Sequence, residues 1–489
     1  MAEPLPKLLA SVPPAQRPLP PPPDGHHPPP TAPLFAPPGG SDPLLETLLH
    51  QASTQLCQWL GARGAAGPLP NLSVLPAVEP EPQGLHQGRL LADLQLVMEG
   101  AYNPNHPGAL AHLDPPPLTA SIVADLICAG LNNNLLAEEL SPSLSHLERG
   151  LCAWMAESLG LPKGAGGVPA SGGSLCNLMA LVVARRSRGL GSRADAVVLC
   201  SEDAHVSLEK AVAVMGLPAE ALIRVPTDPQ GRMNPHALDD QVHTLSRRGI
   251  PMIAVVATAG TTVRGAVDPL PPLAALCRKR GLWLHVDGAI GAVFALHPHH
   301  RRRLTGLELA DSITVNPQKL LGITKTSALL LLKDPQALQD AFATGLPYME
   351  PSWGGGHGGE KGVQGTRPAE ILKLWLGLRQ LGLEGIAHLI DAAIQRRRTL
   401  QTFLAEDGRL TLRGGSLHLL AFCPTAIDQA TSASWSDRTR QALLENQLML
   451  SRPCYRGHHH LKAVLGNPHT LPSHLWAIAT ITSRSLDEL

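Results

Sequence analysis

Between residues 120 and 385, five short apolar segments alternate with helical stretches: AVVLC (196–200), MIAVVAT (252–258), LWLHV (282–286), SITVN (312–316) and SALLLL (327–332). Each is apolar on both faces and bounded by turn residues. A strand of that kind must be covered on both faces, which is what crossover helices do in a parallel sheet. The alternation predicts an α/β domain with a mostly parallel sheet and helices on both faces.

The flanking regions read differently. Residues 1–43 are dominated by proline, including Pro20-Pro21-Pro22-Pro23, and predict an extended or disordered tail. From 44 to 119 the chain is helical and extended, with DPLLETLLHQASTQLCQWL and LLADLQLVMEGAYNP as helices, the second stopped by Asn103-Pro104. Residues 386–489 form a small last α/β unit, with helices near 386–405 and 435–450 and strands near 417–422 and 459–465. GGGHGG (354–359) reads as a mobile loop.

Composition excludes several classes. Lys+Arg and Asp+Glu are both 40, so a nucleic-acid coat or polybasic membrane binder is not expected. No run of about 18 apolar residues occurs, so no membrane-spanning helix is expected. None of the eight cysteines forms a C-x-x-C pair, and a reduced, cytoplasmic setting is the simplest. His297-Pro298-His299-His300 and His458-His459-His460 lack the i, i+4 spacing of a helical metal pair. Both are read as solvated, and no metal site is expected.

The functional signal lies just past the strand ends. Ligands of open α/β sheets bind outside the carboxyl ends of the strands. There the sequence places His205, Thr261 and Thr262, Asp287, and Gln318-Lys319. An imidazole, hydroxyls, a carboxylate and an amine at one crevice match what pyridoxal phosphate requires. The lysine bonds the aldehyde, the carboxylate holds the ring nitrogen, and a flat group stacks on the ring. Ser171-Gly172-Gly173-Ser174, leading into an apolar helix, offers the phosphate a helix N-terminus.

These stretches resemble the group II pyridoxal-phosphate amino-acid decarboxylases, the family of glutamate, aromatic, cysteine-sulfinate and diaminobutyrate decarboxylases. The resemblance runs from about 90 to 480 through HPGALAHL (106–113), ELSPSLSHLE (139–148), SGGSLCNLMAL (171–181), SEDAHVSLEKA (201–211), ATAGTTVRGAVDPL (257–270), LHVDGAIGA (284–292), ADSITVNPQKLLG (310–322), QGTRPAEILKLWLGLRQLG (364–382) and LKAVLGNPHT (461–470). It implies the aspartate-aminotransferase-like fold type I, a cofactor domain over 120–385 and a small domain over 386–489. It also implies a homodimer with interfacial active sites, in which 44–119 packs on the partner subunit. Position by position it implies Lys319 as the Schiff-base lysine, Asp287 as the ring-nitrogen partner, Ala289 against the ring and His205 stacked on it. Ser171, Gly172, Gly173 and Ser174 match the phosphate turn, with Thr261, Asn316 and Gln318 beside the cofactor. Arg367 comes after the mobile loop.

The sequence departs from the family at two places. Gln318 stands where a histidine usually precedes the lysine, and glutamine does not titrate near neutral pH. The loop tyrosine that protonates the α-carbon after carbon dioxide leaves has two candidates here, Tyr348 and His357. The implied activity is α-decarboxylation of an L-amino acid to a primary amine. His106, Asn134, Glu139 and Arg367 are the candidate substrate contacts. A carboxylate at Glu138 or Glu139 would suit the ammonium of 2,4-diaminobutyrate; Asn132 to Asn134 resemble the polar stretch of enzymes acting on glutamate or aspartate. Another fold type I activity (aldolase, lyase, aminotransferase or oxidative deaminase) or a degenerate cofactor-binding protein are the alternatives.

Overall fold

The computed structural model describes residues 34–35, 41–62, 67–70, 75–345 and 356–489. The expected Pro-rich tail lies almost wholly outside them. The chain forms two compact units, one of Met1–Gln58 with Pro76–Gln95 and one of Trp59–Leu75 with Leu96–Leu489. The first contains most of α1 (Pro43–Ala62) and of α2 (Gln87–Glu99). Gln55 Nε2 donates to Leu91 O (3.0 Å) and Gln95 Oε1 (2.7 Å). No described residue of α1 or α2 is buried.

The second unit includes α3 (Thr119–Leu131) and α4 (Pro142–Ser158) and is built on a seven-stranded sheet. Its strands are β1 (Gly166–Ala170), β2 (Val197–Ser201), β3 (Leu222–Val225), β4 (Met252–Thr258), β5 (Trp283–Asp287), β6 (Ser312–Val315) and β7 (Ala328–Leu332), in the order β1-β7-β6-β5-β4-β2-β3. β2 to β6 pair in parallel, and β7 runs antiparallel to both its neighbours. Helices α5 (Gly173–Ser187), α6 (Ser207–Val214), α7 (Pro235–Arg247) and α8 (Leu270–Arg280) alternate with β1 to β5 along the chain. α9 (Gln336–Phe342) comes after β7. Every residue of β2, β4, β6 and β7 is buried, as the two-faced apolar pattern requires. Because β2, β4, β5 and β6 are parallel, their carboxyl ends open on one sheet edge.

α10 (Ile371–Ala405) begins well before residue 386, and Gly382, at φ 60°, kinks it. A second sheet, β12-β9-β8, is antiparallel and consists of β8 (Leu410–Gly414), β9 (Leu419–Pro424) and β12 (Leu461–Val464). The hairpin β10 (Cys454–Tyr455) and β11 (His458–His459) precedes β12. α11 (Gln429–Glu445), capped by Asp428 accepting the Thr431 N–H at 2.7 Å, and α12 (Pro472–Leu486) close a separate apolar core around Trp435 and Phe422.

Part of each histidine run differs from the solvated reading, although His299 is exposed and His458 and His459 are half-buried. His297 and His300 are buried, and each Nε2 faces Asp391 of α10, at 3.2 and 2.9 Å. His460 is buried as well, with Nδ1 on His458 O (2.9 Å) and Nε2 toward Cys423 Sγ (3.4 Å). In each run a partner far along the chain, Asp391 or Cys423, meets the buried rings.

Candidate active site

β1 ends at Ala170, and the chain turns through Ser171 and Gly172 into α5. Gly172 has φ 102°, a conformation a side chain resists. A Cβ on Gly173 would lie 3.1 Å from Asn316 Oδ1 and 3.4 Å from the Ala289 Cβ. The first N–H groups of α5 lack intrahelical partners, so this turn presents donors and a positive helix end to one cradle. Asn316 Oδ1, buried against that cradle, has no hydrogen-bond partner.

Asp287 closes β5 and is buried. Its Oδ1 accepts the Ala289 N–H (3.1 Å) and its Oδ2 accepts Asn177 Nδ2 (2.8 Å). A Cβ on Gly288 would come within 2.8 Å of Thr314 O, so the strand end packs closely. Lys319 leaves the turn after β6, where its N–H bonds Asn316 O at 3.0 Å. Burial pushes the Lys319 amine below its usual pKa, while Asp287 and Asp114 pull it back up. An amine held toward its neutral form is the nucleophile that carbonyl chemistry needs. His205 Nδ1 accepts the Ser207 N–H at 3.2 Å, leaving the proton on Nε2. Burial lowers its pKa, Asp287 opposing, which favours a neutral ring. Thr261 is buried, its Oγ1 accepting the Ala266 N–H at 3.1 Å.

All of these side chains, with Ser174 and Gln318, line one cavity of about 280 Å³. Every sequence-predicted cofactor position therefore reaches a single site. Gln318 has a further contact: its Oε1 accepts the Ser327 N–H at 2.6 Å and braces the turn onto the start of β7.

Lys319 also lines a narrow cleft on its other side, with His112, Asp114, His418 and Asn467, whose water-sized core is about 10 Å³. Asp114 pairs with Lys325 at 2.5 Å. Burial, and then Lys462, lower the pKa of His112. Lys462, which sequence reasoning missed, stands on β12 with Nζ on Thr262 O (3.3 Å). Burial, with Lys319 nearby, lowers its pKa to about 8. Its signal was a lone charge in an otherwise apolar short strand.

None of the candidate substrate contacts lines the cavity of about 280 Å³. Arg367 and Asn134 line a separate pocket, and Arg367 is held by Glu148 through two 2.5 Å bonds. Glu139 sits in the one-turn helix Glu138–Leu140, whose Glu138 is buried against Arg149 (3.1 Å) and His146 (2.8 Å). His106 is buried in a turn, with Nδ1 accepting the Gly108 N–H at 3.0 Å. His357 precedes a short 3-10 turn, Gly358–Lys361, and its Nδ1 is buried without a partner. Tyr348 lies outside the described residues.

The model of the pyridoxal-dependent decarboxylase conserved domain matches residues 82–422. The L-2,4-diaminobutyrate decarboxylase of Rhizobium meliloti (strain 1021) is 31% identical over 449 residues, 90% of this chain and 89% of that one. An acidic amino acid decarboxylase of Xenopus tropicalis is 30% identical over 372 residues, 73% and 71% of the two chains. The solved structure of Oryza sativa TDC with PLP and tryptamine superposes with a TM-score of 0.84 at 22% identity, covering 92% of this chain and 99% of that one, and shares the fold.

The cavity fits pyridoxal phosphate. The Asn316 amide, whose buried Oδ1 has no partner, lies beside Gly173, where no Cβ fills the space a phosphate would take. The carboxylate of Asp287 and the buried amine of Lys319 line the same cavity. The chain therefore belongs to the pyridoxal-dependent decarboxylase family and is a pyridoxal-phosphate-dependent amino-acid decarboxylase.

Proposed function

We propose that Lys319 carries the cofactor covalently and that Asp287 faces its ring nitrogen. The turn Ser171-Gly172-Gly173-Ser174, with the α5 N-terminus and Asn316, receives the phosphate. His205 would stack on the ring and Ala289 would lie against it, while Thr261 and Gln318 would brace the walls. When bound, the cofactor supplies an electron sink for the bonding pair released as carbon dioxide leaves. The chain's own part is to exclude water, hold Asp287 as an acceptor and return the lysine amine. Tyr348 or His357 delivers the proton to the α-carbon. Residues 120–385 carry the cofactor and 386–489 form the small domain.

The substrate we propose is a short amino acid with a distal ammonium, of the 2,4-diaminobutyrate type. The observation that carries this is the place of Lys319 between two openings: the cofactor cavity on one side and the water-sized cleft lined by Asp114 on the other. An ammonium is of that size and would pair with Asp114 in exchange for Lys325. Lys462 is placed to meet the α-carboxylate. The name of the Rhizobium meliloti relative supports this reading. A second reading, an acidic amino acid, is favoured by Lys462 and Lys325 and by the name of the Xenopus tropicalis relative.

A homodimer in the cytoplasm completes the proposal. The unburied faces of α1 and α2, with Leu45, Leu49, Leu90 and Leu94 exposed, call for a partner surface. All eight cysteines are free, consistent with a reduced compartment.

Product analysis by mass spectrometry tests the substrate. The loaded enzyme is given 2,4-diaminobutyrate, ornithine, lysine, glutamate, aspartate, cysteine sulfinate and aromatic amino acids in turn. An amine one carboxyl lighter than 2,4-diaminobutyrate is expected. Turnover confined to glutamate, aspartate or cysteine sulfinate would replace the first reading by the second.

A further inference from the structure

Asp287 is the last member of a run of buried side chains that reaches well behind the cavity. Trp283, His285 and Asp287 alternate along β5, so all three project from one face. On β6, Ser312 and Thr314 lie beside them, in the register His285↔Ser312 and Asp287↔Thr314. α5 brings Asn177, 1% exposed, into this patch. These polar groups stand in an otherwise apolar sheet core, where each must find a partner.

Asn177 uses its whole amide. Nδ2 donates to Asp287 Oδ2 (2.8 Å) and to Ser207 Oγ (3.0 Å). Oδ1 accepts from Thr314 Oγ1 (2.8 Å) and faces His285 Nε2 at 3.1 Å. The amide's orientation is fixed, because the reverse would set its oxygen against a carboxylate oxygen. Since Oδ1 only accepts, the His285 proton sits on Nε2. Nδ1 is then an acceptor and takes the Ser312 hydroxyl at 2.8 Å. Ser312 Oγ in turn accepts the Trp283 indole N–H at 2.9 Å. Along this run the donors point the same way: Trp283 to Ser312, to His285, to Asn177, to Asp287. Chains of hydrogen bonds aligned head to tail strengthen one another in a low-dielectric interior.

We infer that Asn177, oriented by His285, is a positioning residue that fixes Asp287 Oδ2 and so sets how the carboxylate meets the cofactor's ring nitrogen. This rests on the role proposed for Asp287. With Oδ1 held by the Ala289 N–H and Oδ2 by Asn177, the carboxylate cannot rotate. His285 suits this task because burial pushes its pKa down to about 4, against the pull of Asp287. It stays neutral, so its single N–H has one direction.

The test compares Asn177→Leu, Asn177→Asp, His285→Gln and Asp287→Asn. Three quantities are read: the cofactor dissociation constant, the pH dependence of the holoenzyme's visible absorption, and the melting temperature of the cofactor-free protein. Asn177→Leu is expected to weaken cofactor binding about 10–100-fold, as loss of an orienting partner does elsewhere, and to shift the absorption profile along the pH axis. Asn177→Asp can donate to Asp287 only when protonated, so its profile and turnover recover toward acid pH. Should Asn177→Leu fail to fold, this acid recovery decides alone. His285→Gln retains a donor and an acceptor and is expected to preserve the profile. Wild-type profiles and affinity in both Asn177 variants would overturn the inference and leave Asn177 as packing. A wild-type profile in Asp287→Asn would instead overturn the role proposed for Asp287.

Discussion

Arg367 and Glu148 grip one another through two parallel bonds of 2.5 Å, with Arg367 6% and Glu148 7% exposed. A buried pair of this kind is costly to break, because the survivor is left as an uncompensated charge. Arg367 is therefore committed to tying the segment after the loop to α4, within a single chain. Arg367→Ala is expected to cost about 3–5 kcal/mol of stability, read by denaturant unfolding of the holoenzyme. A loss below about 1 kcal/mol, the range of an exposed ion pair, would show that the pair is not a structural tie.

Lys462 predicts a pH limb. Its pKa, lowered to about 8 by burial and by Lys319, makes it a cation below that pH and neutral above. If it meets the substrate carboxylate, KM rises as pH climbs through about 8. Lys462→Gln raises KM at neutral pH and removes that limb. Stability responds to the same group with a definite sign. The folded pKa lies below the unfolded one, so the unfolded chain binds more protons between about 8 and 10.5 and stability gains across that window. An unchanged KM profile in Lys462→Gln would remove the residue from the substrate site.

The cradle at Gly173 predicts a local effect. Gly173→Ala would place a methyl 3.1 Å from Asn316 Oδ1, in the space assigned to the phosphate. Equilibrium dialysis is expected to show cofactor affinity reduced by an order of magnitude or so, about 1.4 kcal/mol, with the cofactor-free protein melting near wild type. Equal affinity would place the phosphate elsewhere.

Asp268 predicts a structural loss away from the cavity's chemistry. Its two oxygens each accept a buried backbone N–H at 2.7 Å, from Met233 and from Thr258 at the end of β4. Asp268→Ala strands both donors and is expected to cost about 2–6 kcal/mol, at 1–3 for each. A chemical-denaturation midpoint equal to wild type would refute it.

Much of this architecture was legible along the chain. β4 matches its apolar run, 252–258, at both ends, and β5, β6 and β7 fall within a residue of theirs. β1 escaped notice because GGVPA carries two glycines and a proline; as an edge strand it pairs only with β7 and tolerates them. The antiparallel direction of β7 left no local mark, since a buried strand is apolar whichever way it runs. The positions that line the cavity were legible because parallel strands place their carboxyl ends together. Lys462 and the His297–Asp391 contact were not, because each depends on partners about 90 to 200 residues away.

Lys319 is proposed as the amine on which decarboxylation depends. Carbon dioxide release should be measured for the wild type and for Lys319→Ala, both supplied with pyridoxal phosphate and 2,4-diaminobutyrate. Release is expected from the wild type and none above background from the variant, whose cofactor-free fold is retained. Wild-type release by Lys319→Ala would contradict it.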